Sequence, residues 1–248
     1  MKKFNYENTQ YLQRLGELPP EFYAKYIFSI KRYCKTKESL FLDVGCGNGF
    51  VLSSLKKQGY QNGYGVDVSK LFISDAKKHG LRHLYQYSGK KFPFKNNYFD
   101  FVGSFTVLEH TEDPESFLRE QLRILKIGGY LLVACPNFLS VVMMSPHPRI
   151  KGPVNRIRNF LRLCIRLFTP TTKFERMKLI QRAVFQSDDD AIVVTNLLDL
   201  RRVLKRMNCS IIYESGFLQS SSKLTRFIDA LPLVKYAMPS CFVVVRKN

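Results

Sequence analysis

The stretch FLDVGCGNGF, Phe41 to Phe50, decides how the rest of this chain is read. An apolar run carries a carboxylate, Asp43, and then glycines alternate at Gly45, Gly47 and Gly49. This is the pattern of a strand turning sharply into a helix. Gly45 and Gly47 permit the turn and let a ligand approach the main chain, and the helix N-terminus beyond supplies free N–H groups. A second strand, GYGVD at 63–67, ends on Asp67, where an acid can accept hydrogen bonds from both hydroxyls of a ribose. An adenosine-type ligand would therefore lie across the carboxyl ends of strands one and two.

The remaining positions select among nucleotides. A dinucleotide loop wants Gly or Ala at the sixth place counted from Gly45, and Phe50 stands there. A phosphate loop needs Gly-Lys-Ser/Thr, which is absent. Asp43 would repel a pyrophosphate but suits a cationic group. A ligand with an amino group, a sulfonium and an adenosine fits these constraints, namely S-adenosylmethionine, held by Asp43, Gly45, Cys46, Gly47 and Asp67.

Working outward, apolar strand candidates at 39–44, 63–67, 82–87, 99–105 and 130–135 alternate with helical patterns. Residues 20–35 read as a helix with Pro20 near its start. Residues 113–126 read as another, with Asp113 as N-cap, Pro114 at N1 and Phe117, Leu118, Leu122 and Leu125 on one face; Gly128-Gly129 is expected to stop it. After Asn137 the rhythm breaks over 138–187. It returns with a helix at 195–207 capped by Thr195, a strand at 210–214 and a last strand at 241–246, with a short helix between them. Strands alternating with helices predict an α/β doubly wound sheet with both faces covered.

These segments, in this order, resemble the class I S-adenosylmethionine-dependent methyltransferases, of the small-molecule, ubiquinone-biosynthesis-like type. LFLDVGCGNG resembles the first motif, GYGVDVS the second, FPFKNNYFDFVGSFTVLEHTEDP the fourth-strand segment and LRILKIGGYLLVACPN the last core motif. The resemblance covers about residues 38–137, with a weaker echo at 188–215. It implies a Rossmann-like, seven-stranded, mostly parallel sheet with a last antiparallel strand. It also implies one methyltransferase domain over 1–248, with an N-terminal helical cap at 1–37 and a lid insertion at 138–187 after strand five. Val68 falls beside the adenine, Phe105 on the cofactor wall, and Ser88 where an acid usually binds the adenine amino group. A hydroxyl accepts that bond without charge assistance. Ile127 replaces a usual proline. Thr106 stands where some relatives carry a metal-binding acid, so no metal is expected.

Composition bounds the setting. With 248 residues, 45% hydrophobic and 24% charged, the chain is ordinary globular material. No apolar run reaches the ~20 residues of a membrane span, and MKKFNYENTQ has no apolar core of a secretory signal. The cysteines Cys34, Cys46, Cys135, Cys164, Cys209 and Cys241 form no CxxC pair. Reduced thiols fit the cytoplasm. The net charge of +19 points either to an anionic partner or to a solvated basic surface.

Methyl transfer needs nucleophile and methyl group held in line, and a hydroxyl nucleophile must lose its proton. His110, in LEHTED, is the candidate base; alternatively it and Glu109 only orient the loop. In the insertion, NRIRNFLRLCIRLF places Ile157, Leu161, Cys164 and Phe168 on one helical face and Arg158, Arg162 and Arg166 on another. Its readings are a lid helix with arginines in water, contact of residues 154–168 with an anionic membrane surface or a lipid substrate, or contact with a phosphorylated or nucleic-acid substrate. Arg149, Lys151, Arg156, Lys173, Arg176, Lys178 and Arg182 add to the positive charge. Asp188, Asp189 and Asp190 read as a solvated turn or as contacts to a sugar or amine. The expected reaction is methylation of a small-molecule or lipid- or sugar-linked acceptor at oxygen. An RNA methyltransferase and a non-catalytic scaffold are the alternatives.

Overall fold

The computed structural model describes residues 4–142, 147–169, 173–180, 186, 188–218 and 222–248. Arg182, one of the basic residues singled out above, lies outside them. The helices are α1 (Thr9–Glu17), α2 (Glu21–Tyr33), α3 (Phe50–Lys57), α4 (Lys70–Lys78), α5 (Pro114–Ile124), α6 (Pro153–Phe168), α7 (Leu197–Arg206) and α8 (Lys223–Ala230). The strands are β1 (Phe41–Val44), β2 (Gly63–Asp67), β3 (Leu84–Gln86), β4 (Phe99–Phe105), β5 (Leu125–Pro136), β6 (Glu175–Arg176), β7 (Val193–Val194), β8 (Cys209–Ser215) and β9 (Ser240–Lys247).

Seven strands form one sheet in the order β3-β2-β1-β4-β5-β9-β8, mostly parallel with one antiparallel strand. β1 lies parallel between β2 and β4, pairing Asp43 with Gly65 and Gly103. This is the doubly wound architecture that the alternation of segments predicts. β6 and β7 make a separate antiparallel pair.

The chain divides into two compact units. One holds Lys3–Phe105, Ser116–Leu132 and Arg246–Asn248; the other holds Thr106–Glu115 and Val133–Val245. In the first, Phe41, Leu42, Val44, Phe99, Phe101 and Leu55 are fully buried. In the second, Phe138, Leu139, Ile150, Met177, Ala191 and Val194 form a core cluster that ties the insertion to β7.

Local readings are corrected in two places. Gly128-Gly129 do not end α5. The helix stops at Ile124 because the loop before β4 takes its last carbonyls: Asn97 N–H donates to Arg123 (3.0 Å) and Tyr98 N–H to Ile124 (2.7 Å). Leu125 then starts β5, and both glycines lie inside that strand. The cap of α7 is Asn196, whose side chain accepts from the Asp199 N–H, rather than Thr195. The Thr195 hydroxyl is spent on the Pro136 carbonyl (2.6 Å).

Candidate active site

In the first unit, β1 delivers Asp43 and β2 delivers Asp67 to the glycine loop. Gly45, Gly47 and Gly49 all have positive φ, 73°, 52° and 77°, a conformation that costs other residues strain. The Gly45 and Cys46 N–H groups donate to the Val66 carbonyl, clamping the loop to the end of β2. A side chain on Gly49 would run into Leu81, 2.5 Å from the Cβ position.

Asp67 is buried, and it organises the loop as well as facing it. One oxygen accepts from Gly47 N–H (3.0 Å) and the other from Ser69 N–H (2.9 Å). A carboxylate offers about four lone-pair sites, so acceptor capacity remains for a ribose hydroxyl. Burial pushes the Asp67 pKa up to about 6 despite these backbone donors. Asp43 is also buried and accepts from the Tyr26 hydroxyl (2.8 Å). Burial carries its pKa up to about 7, the Tyr26 hydroxyl opposing the rise and the Asp67 charge adding to it. Asp43 is thus poised to ionise fully when a cation arrives.

The other sequence-named residues fall around this loop as follows. Cys46 is buried, its sulfur 2.8 Å from the place a Gly65 Cβ would occupy, and its N–H is given to the Val66 carbonyl, so only its carbonyl is on offer. Val68 is exposed just past β2, and its carbonyl accepts from the Gln86 side chain. Ser88 is exposed beyond β3. Phe105 is buried at the end of β4, with the rings of Phe22, Tyr23 and Tyr26 at 5.2–5.6 Å.

Sequence reasoning missed several supports. Tyr26 reaches Asp43 only because residue 103 is glycine; a Cβ there would sit 2.3 Å from the Tyr26 hydroxyl. Leu15 of α1 lies 3.1 Å from the Cβ position of Gly47, and the Glu7 carboxylate accepts from the Lys70 and Leu71 N–H groups opening α4. The N-terminal segment thus touches the glycine loop through Leu15 and the start of α4 through Glu7. The paired pattern of Tyr26 and Gly103 leaves no local signal, because 77 positions separate them.

In the second unit, His110 closes a short 3-10 turn, Leu108–His110. Its Nε2 lies 3.5 Å from Glu109 Oε1 and its Nδ1 3.3 Å from Asp190 Oδ2. The Glu109 carbonyl accepts from Ile192 N–H (2.8 Å), which fixes the turn against the chain that carries Asp190. Asp189 and Asp190 are buried, so the acid run is not a solvated turn. Asp188 makes the bend with φ 67°, and Asp189 accepts from Gln186 N–H. Burial alone would lower the His110 pKa, but the charges of Asp190 and Glu109 outweigh it and leave the pKa raised. Burial pushes Glu109 well above the usual carboxylate range, with the imidazole pulling the other way. Asp190 is the functional candidate that the sequence did not pair with His110.

Residues 42–133 match the methyltransferase domain family. The fold agrees: a SAM-dependent methyltransferase of Mesorhizobium loti superposes with a TM-score of 0.62 at 15% identity, covering 91% of this chain and 98% of that one. An uncharacterized protein of Methanocaldococcus jannaschii is 32% identical over 111 residues, 45% of this chain and 50% of that protein. A ubiquinone biosynthesis O-methyltransferase of Nitrosomonas europaea is 30% identical over 106 residues, 40% of this chain and 45% of that enzyme. The chain thus spans about half the length of the curated relatives it matches. S-adenosylmethionine is the cofactor that goes with the methyltransferase domain. Asp43, Asp67 and the loop backbone suit it: acceptors for ribose hydroxyls, and a buried acid for a cationic end.

Proposed function

We propose that the chain transfers the methyl group of S-adenosylmethionine to a hydroxyl oxygen of a small-molecule or lipid- or sugar-linked acceptor in the cytoplasm. A C–O bond forms as the C–S bond breaks. The sulfonium becomes the thioether of S-adenosylhomocysteine, and the hydroxyl proton passes to His110. The observation that carries the oxygen reading is the imidazole held between Glu109 and Asp190. Asp190 beside Nδ1 stabilises the imidazolium that results. The names of several relatives, such as the Nitrosomonas europaea enzyme, support the same acceptor atom.

Asp67 holds the ribose and Asp43 the cationic end of the cofactor, with Gly45, Cys46 and Gly47, whose N–H groups are already engaged, presenting backbone carbonyls. Val68 and Ser88 border the adenine and Phe105 walls the site. The test is incubation with methyl-labelled S-adenosylmethionine and fractionated lipid and polar cell extracts. Label entering an ether or ester, and absent with His110→Ala, supports the reading. Label appearing only on nitrogen or in RNA contradicts it.

A further inference from the structure

Helix α6 is turned opposite to an ordinary surface helix. Its inward residues are Asn159 and Leu163, together with Arg162 and Arg166. Arg162 and Arg166 pair with Glu175 at 3.2 Å each, Arg149 joins the same carboxylate at 3.0 Å, and Arg166 also pairs with Asp199. The Asn159 amide donates to the Ser140 and Arg149 carbonyls. The Arg202 guanidinium collects the Arg166, Leu167 and Thr169 carbonyls at the helix end. Asn159, Arg162 and Arg166 are therefore employed inside.

The apolar face is left outside. Ile157 is 63% exposed, Ile165 61% and Phe168 88%, with Val154, Phe160 and Leu161 also exposed. At 100° per residue these six fall within an arc of roughly 140°. Helix α8 repeats the inversion. Thr225 is buried and Asp229 accepts from Gly216 N–H, while Leu224 and Phe227 are exposed. Both helices pack on the 3-10 turn Val234–Ala237, so the two apolar faces share one support. An exposed apolar face of this extent marks an interaction site.

Charge selects the occupant. Arg158 borders the α6 arc and is exposed. It also lines a cleft of about 510 Å³ with His147, Arg149, Arg176 and Lys178. Lys151 and Lys223, at the starts of α6 and α8, are exposed too. A second copy meeting this face about a twofold axis would bring the same set of cations to the seam from both sides. A nucleic acid would leave the apolar arc in water. Apolar side chains edged by cations match the boundary between acyl chains and anionic headgroups.

We propose that α6 and α8 dock the protein on an anionic phospholipid bilayer, with the apolar arc at the acyl boundary and the basic cleft around headgroup phosphate. The proposal is independent of the reaction above. The protein is sedimented with vesicles of phosphatidylcholine alone and of phosphatidylcholine mixed equally with phosphatidylglycerol. The native protein should pellet with the mixed vesicles and far less with the neutral ones. Phe160→Glu with Phe168→Glu should stay in the supernatant with an unchanged melting temperature, because both side chains already face outward. Arg158→Glu should weaken binding about tenfold, the effect of removing and reversing a charge near the surface. Native protein that ignores both vesicles overturns the proposal, as does a double variant that still pellets. So does a native dimer, seen by analytical ultracentrifugation, that the double variant converts to a monomer while neither binds vesicles.

Discussion

The buried acids at the glycine loop and those around His110 are built in contrasting ways. The cluster at the glycine loop, Asp43 and Asp67, is surrounded by neutral donors: the Tyr26 hydroxyl and the Gly47 and Ser69 N–H groups. The cluster around His110 encloses a titratable cation between Glu109 and Asp190. Burial raises the acids in the first, to about 7 and about 6. In the second, the carboxylates raise the imidazole instead. The first arrangement suits holding a polar, cationic ligand. The second suits holding and releasing a proton. The contrast teaches that burial alone does not assign a role; the partner group does.

The sharpest way to break this contrast is to remove the proton acceptor. His110→Ala should lower the methyl-transfer rate by roughly 10²–10⁴-fold, the usual worth of a general base, while cofactor affinity measured by calorimetry stays as in the native protein. A parallel loss of cofactor affinity would merge the two clusters into one function. Next in size, Asp67→Ala should weaken S-adenosylhomocysteine binding by about 10²-fold or more, since hydrogen bonds to a charged group contribute ~1.5–3 kcal/mol each. The His110 titration, followed by NMR, should remain unmoved in that variant.

The pH dependences separate the clusters further. A cation favours ionised Asp43, so cofactor affinity should climb by up to about tenfold per pH unit below 7 and level off above it. Asp43→Asn should flatten that profile. Stability should move the other way. Asp43 binds its proton more tightly folded than unfolded, so its contribution is full below pH 3.8 and is lost as pH rises through about 7. His110 has the same sign: its pairing with Asp190 stabilises below the unfolded imidazole pKa and fades as pH rises through the raised folded value. Asp190→Asn should accordingly lower the NMR-observed His110 pKa. The smallest effect is expected for Tyr26→Phe. It should cost on the order of 1 kcal/mol in urea unfolding, the usual value of one hydrogen bond, and raise the Asp43 pKa further.

The two clusters also differ in how far they could be read in advance. The glycine loop and Asp67 are legible because the chemistry is contiguous: strand, turn and helix follow one another within Phe41–Phe50. Asp190 is not, since its partner lies 80 positions away and only the insertion's fold brings the two together. The Tyr26–Gly103 pairing is hidden for the same reason. Helix α6 is legible as amphipathic but not as inverted. Its period gives two faces, and the pairing with Glu175 and Asp199 draws Arg162 and Arg166 inward while Arg158 stays exposed. In α7 a similar period puts Leu197, Leu200, Val203 and Leu204 inside. The end of α5 failed for a related cause. Carbonyls taken by a distant loop stop a helix as well as glycine does.

The most direct test of the account is a thermal shift with S-adenosylhomocysteine on the native chain and on Asp67→Ala. At ~100 times its dissociation constant the ligand stabilises by about 2.7 kcal/mol, which reads as a clear rise in melting temperature. The account predicts that rise for the native chain and its loss in the variant. No rise in the native chain would contradict it, leaving the methyltransferase fold without its methyl donor.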